Sequence, residues 1–134
     1  MDLIFDAQVL RHHGTDELPD SVLDSISAYY HRATTTSRPM SLLIAIVMVI
    51  LLGALGFRFV LSTDPVWLLT VAAVLAGVPI LLAMVRTVPN AVRLGTRADG
   101  LAEQSRLARA ICRDHLFCLG SETAFLVLWL TTVT

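Results

Sequence analysis

SLLIAIVMVILLGALGFRFVL (residues 41–61) and, three residues later, PVWLLTVAAVLAGVPILLAMVR (65–86) decide the architecture. The first run carries no charge before Arg58, and the second none before Arg86. At about 1.5 Å per residue each helix would be about 30 Å long, the thickness of a bilayer's hydrocarbon core. The short 62–64 connection, with Pro65 placed to start a helix, predicts two antiparallel spans in a tight hairpin. Trp67 and Arg86 suit the two interfaces of the second span. Gly53 and Gly56 thin one side of the first and would allow another helix to approach closely. Gly77 and Pro79 predict a kink in the middle of the second.

Working outward toward the C-terminus, residues from Leu101 onward read as one long helix that begins amphipathic and ends apolar. Arg106, Arg109 and Arg113 share one side, while Gln104, Ala108, Ile111, His115, Leu119, Glu122, Leu126 and Trp129 line the other at about 100° per residue. Its apolar part, about 114–133, is long enough to span despite Glu122. A break at Gly120-Ser121 is the competing reading. Between the second and third spans Pro89 is expected to end a helix, with Asn90 capping its carbonyls or facing a pocket.

Toward the N-terminus, residues 1–12 are too short and too acidic to span, and they predict an interfacial or bundle-packing helix. A loop from His12 to Pro19 follows. Ser21-Val22-Leu23-Asp24 reads as a capping box, opening an amphipathic helix over about 21–33. Its apolar face (Val22, Ile26, Tyr29, Ala33) is expected to lie on the membrane surface. The start lacks a basic region and a cleavage site, so the first span is expected to act as its own targeting signal. The fold class predicted is thus all-α: an integral membrane helical bundle with three transmembrane helices (residues 41–134) behind short N-terminal interfacial helices (1–40).

Composition agrees with this. Of 134 residues 55% are hydrophobic and 16% charged, with a mean hydropathy of +0.71, well above a soluble domain. All ten basic residues are Arg, a usage that points to a GC-rich bacterial genome. Nine of them fall in the N-terminal 40 residues or in 86–114, leaving Arg58 alone near the other side. The positive-inside rule puts the arginine-rich side and the N-terminus in the cytoplasm, and Thr134 outside a bacterial inner membrane.

Chemistry is expected at His115 and Glu122, two turns apart on one face. A carboxylate at membrane depth costs on the order of 3 kcal/mol, so it is paired or functional. Three readings stay open: Glu122 pairs with Arg58, works with His115 in a pocket that handles a proton or metal, or sits at a subunit interface. A metal cluster of His12, His13, His31 and His115 lacks fixed spacing. Cys112 and Cys118, six apart, read as small apolar-tolerant residues. No GxGxxG, P-loop, HExxH or GxSxG occurs, so nucleotide, phosphoryl and hydrolase chemistry find no support. No cofactor is named by any motif, and nothing points to nucleic acid.

Arg38-Pro39, the Pro89-Asn90…Arg93-Leu94 run, and a basic helix reaching His115 together resemble the anthrone oxygenase-like family of small membrane proteins. The resemblance covers about two thirds of the chain. It implies a helical membrane bundle that oxidises anthrones with O₂, His115 taking a proton from an acidic C–H and Asn90 hydrogen-bonding beside it. The sequence departs from the family where Ile111 and Cys118 replace a Trp and an Arg, and where residues 1–12 stand in for a first full span. The functions expected are a membrane oxidoreductase for a hydrophobic aromatic or quinone-like molecule, a non-catalytic membrane-complex or homo-oligomeric subunit, or an ion carrier using Glu122.

Overall fold

The computed structural model describes residues 3–12, 14–36, 38–61 and 63–133; His13, Ser37, Ser62 and Thr134, which enter the sequence reading above, lie outside them. Among the described residues all regular structure is helical: α1 (Leu3–Arg11), α2 (Asp20–Thr35), α3 (Arg38–Leu61), α4 (Val66–Leu82), a π turn (Ala83–Thr87), α5 (Val88–Thr96) and α6 (Leu101–Val133). The chain is an all-α bundle. Three stretches within it, Leu42–Leu61, Val66–Thr96 and Leu101–Thr132, are long and apolar enough to cross a membrane. α6 is continuous through Gly120-Ser121.

Two local expectations are corrected. Pro89 does not end the second long helix. A proline ring clashes with the preceding turn of a regular α-helix, and the chain ahead of Pro89 widens into the π turn instead. The helix then runs on as α5 to Thr96, closing where Arg97 turns left-handed at φ 54°. The capping box at Ser21 does not form either. α2 starts a residue earlier at Asp20, with Pro19 in the cap position and no side-chain cap bond, because Asp24 is drawn into an ion pair with Arg97.

The helices build two tiers. In the first, α1, α2, α5 and the N-terminal half of α6 enclose a core of Val9, Leu23, Ile26, Leu94, Leu107 and Ile111, among others. The apolar face of α2 is therefore covered by α5 and α6, not spread on a membrane surface. The buried line is Leu23, Ile26, Ser27 and Tyr30, one step around from the sequence expectation. Gly95 permits this: a Cβ there would meet His31 N at 3.0 Å and His31 Cα at 3.2 Å, so α2 and α5 touch backbone to backbone. The loop before α2 is pinned to α6 by Leu18 N–H donating to Ser105 Oγ at 2.9 Å and by Arg109 donating to the carbonyls of Thr15 and Asp16.

In the second tier α4 lies between α3 and α6. Its buried cluster is small, Leu55, Ala72 and Ala76 with Leu51, Phe125 and Trp129 against them, and Leu68, Leu69 and Pro79 of α4 and Cys118 of α6 are buried beside it. Outward-facing residues of α3 such as Val49, Ile50 and Val60 are exposed, as suits helices whose solvent is lipid.

Candidate functional site

Because the backbones of α3 and α6 stay apart on either side of α4 and meet only through side chains such as Arg58 and Trp129, a wedge opens between them. It holds a cavity of about 400 Å³ whose walls are almost wholly apolar, from Ile44 and Met48 on α3 to Leu75 and Pro79 on α4. That volume lies within the roughly 300–1,000 Å³ of small-molecule sites. The polar side chains reaching it are Thr87, His115, Cys118 and Glu122. Three of these come from α6 at spacings of three and four residues, which keeps them in one stripe continued by Phe125. Near its far end Phe125 and Trp129 stack, their ring centroids 5.9 Å apart.

The predicted residues divide. His115 and Glu122 line the same cavity. Asn90 does not; it lies among Arg86, Arg93 and Arg106 in a separate cleft, because the helix continues past Pro89 and carries it away. Arg58 does not pair with Glu122. It bonds Asp64 at 2.6 Å and lies over Trp129, 4.9 Å from the ring centroid. The tight hairpin brings Asp64 back onto Arg58, and a local partner closes at lower entropic cost than one on another helix. Glu122, seven residues before Trp129, sits about 10 Å nearer the first tier. Among the described residues it has no hydrogen-bond or ion-pair partner.

Two acids stand behind the polar residues of the cavity wall, and sequence reasoning missed both as site residues. Asp6 of α1 is buried and its carboxylate oxygen lies 2.8 Å from His115 Nδ1. With that nitrogen engaged, Nε2 is the ring atom left for a ligand, the orientation a carboxylate imposes on a histidine. Asp114, also buried, accepts from Thr87 Oγ1 at 3.3 Å and pairs with Arg86 Nε at 3.3 Å. Thr87 faces the cavity, so Asp114 and Arg86 stand just behind its wall. The available signals were an acid inside an otherwise apolar N-terminal stretch (Asp6) and an acid adjacent to the suspected histidine (Asp114).

Among the described residues no three His, Cys, Asp or Glu side chains gather as a metal site. His12 bonds its own helix at the Gln8 carbonyl, 2.9 Å away. The arrangement can hold an apolar molecule, orient it with Glu122 and Thr87, and exchange a proton at His115. No family model, curated protein or solved structure matches this chain.

Proposed function

We propose that the chain is a small integral membrane protein that binds a hydrophobic aromatic or quinone-like molecule in this cavity and acts on it as an oxidoreductase. What carries the reading is the convergence of His115, held from behind by Asp6, and Glu122 on one apolar cavity. A charged or proton-exchanging group inside an apolar wall is costly unless used. In the anthrone oxygenase-like version, His115 Nε2 removes a proton from a methylene activated by a neighbouring carbonyl. The resulting carbanion, delocalised into that carbonyl, combines with O₂. The hydroperoxide loses water to leave a ketone, so each CH₂ consumes one O₂ and releases one H₂O. Asp6 keeps the imidazole aligned, Glu122 hydrogen-bonds the far hydroxyl or carbonyl, and Asn90 takes no part. The setting proposed is a bacterial inner membrane, N-terminus in the cytoplasm, following the arginine distribution.

The test is oxygen uptake and anthraquinone absorbance with an anthrone supplied to the full chain in lipid nanodiscs. His115→Gln should lower the rate by about 100-fold or more, with helix content unchanged. A wild-type rate no faster than spontaneous oxidation, or an undiminished His115→Gln, would refute it.

A second reading, a non-catalytic subunit of a homo-oligomer or larger membrane complex, rests on Gly53 and Gly56, beside which a Cβ would meet nothing within 4 Å. Cysteines at these positions that crosslink between chains would favour it.

A further inference from the structure

The arginines of the first tier are not spread evenly over its surface. Arg106, Arg109 and Arg113 fall at i, i+3 and i+7 on α6, and with Arg86 they line a cleft of about 340 Å³ in which small Ala102 and Ala110 leave room. A second cleft of about 310 Å³ shares Arg86, Arg106 and Ala110 and adds Arg93 and Asn90, so the two adjoin along these side chains. Five arginines thus line two adjoining clefts. Four carboxylates answer them: Asp99 on Arg93 at 2.8 Å, Glu103 on Arg106 at 2.6 Å, Asp114 on Arg86 at 3.3 Å, and Asp16 at the rim. One positive charge is left over. Arg113 is exposed and has no ion-pair or hydrogen-bond partner among the described residues. Arg109 spends its bonds on two neutral carbonyls.

The depth of the cleft is as informative as its charge. Arg86 closes the second apolar run and Arg113 immediately precedes the third, so the cleft opens at the boundary between the apolar and polar tiers, the level of lipid phosphates. One turn deeper, exposed Leu116 and Phe117 on α6, and Val85 beside Arg86, offer an apolar track.

We propose that this cleft is a binding site for one anionic phospholipid. Its phosphodiester takes the donors of Arg113 and the N–H groups of Arg109 that the Thr15 and Asp16 carbonyls leave over, with the Asn90 amide nearby for a headgroup hydroxyl, and its acyl chains lie along Leu116 and Phe117. A single-charge headgroup matches the single net positive charge left by five arginines and four carboxylates, whereas a zwitterionic headgroup brings its own cation into an already basic cleft. Guanidinium is the group suited to this role, since it presents paired donors to phosphate and is weakly hydrated. The site rests on the membrane placement of the helices and not on catalysis in the His115 cavity.

Native mass spectrometry of the full chain, released from detergent micelles doped with phosphatidylglycerol or with phosphatidylcholine of the same acyl chains, tests it. One retained phosphatidylglycerol per chain is expected, at least tenfold favoured over phosphatidylcholine. Arg113→Gln, at an exposed position, should weaken retention about fivefold, and the charge reversal Arg113→Glu about 25-fold, with thermal midpoint and helix content unchanged. Equal retention of the two lipids, undiminished binding by the folded variants, or full displacement by millimolar inorganic phosphate would each overturn the proposal.

Discussion

The two tiers of this molecule use the same apolar residues to opposite ends. In the first, Leu23, Ile26, Leu94 and Ile111 are at most 1% exposed, and polar groups are tied by bonds such as Leu18–Ser105. This is the packing of a water-soluble protein, with the hydrophobic effect driving helices together. In the second, equally apolar residues such as Val49 and Val60 are at least 70% exposed, and burial is concentrated on the central α4, at Leu68, Leu69, Ala72 and Ala76. Lipid tails are as apolar as leucine, so no hydrophobic force draws these helices together. A loosely packed tier can leave a cavity open; a tightly packed one can hold an acid such as Asp6 in position behind His115.

That contrast can be broken by mutation. Leu23→Ala should cost about 2–5 kcal/mol by leaving a cavity in the first tier, while Ile50→Ala on the lipid face should change stability by less than about 0.5 kcal/mol. Thermal or denaturant unfolding in one detergent compares them, and equal losses would abolish the distinction. Glycines sharpen it further. Gly95→Ala drives a methyl against the His31 backbone and should cost roughly 1–3 kcal/mol, whereas Gly53→Ala should be tolerated within about 0.5 kcal/mol.

Smaller effects are expected where the tiers meet. Asp6→Ala leaves His115 Nδ1 unsatisfied and should cost about 1–3 kcal/mol, with any anthrone oxidation falling alongside. At the opposite end, a double-mutant cycle of Arg58→Gln and Glu122→Gln should give a coupling below about 0.5 kcal/mol, because Arg58 is bound by Asp64 and Trp129. A larger coupling would return Glu122 to a structural role.

The smallest effect concerns pH. A hydrogen bond from Arg93 holds the Asp99 carboxyl below its usual 3.8, and one from Arg106 holds Glu103 below 4.5. In the acid range the unfolded chain therefore binds more protons than the folded one. The contribution is complete above about pH 5 and is lost as pH falls through the lowered folded values. Both carboxylates are part-buried against exposed arginines that water screens, so the midpoint should slope only gently between pH 5 and 3, and less so in Arg93→Gln/Arg106→Gln. A steep fall that these changes leave untouched would place the acid sensitivity elsewhere.

Much of the spanning tier was legible because it depends on length and polarity alone. Runs of uncharged residues at bilayer length predict helices whatever packs beside them, and the three long helices stand where those runs do. Local signals misled where a tertiary partner outbid them. Asp24 looked like half of a capping box but is taken by Arg97, Pro89 looked like a stop but is absorbed by a π turn, and Glu122 looked like Arg58's partner until the hairpin supplied Asp64.

His115 and Glu122 stood out in the sequence by the cost of polar groups on an apolar helix, which needs no knowledge of neighbours. Their helical spacing placed both on one face. That Asp6 reaches across 109 positions to orient His115, that Asn90 lies outside the cavity, and that five arginines line two adjoining clefts were decided by the tertiary structure alone. Periodicity tells which residues share a face of one helix; only the packing of separate helices decides what each face meets.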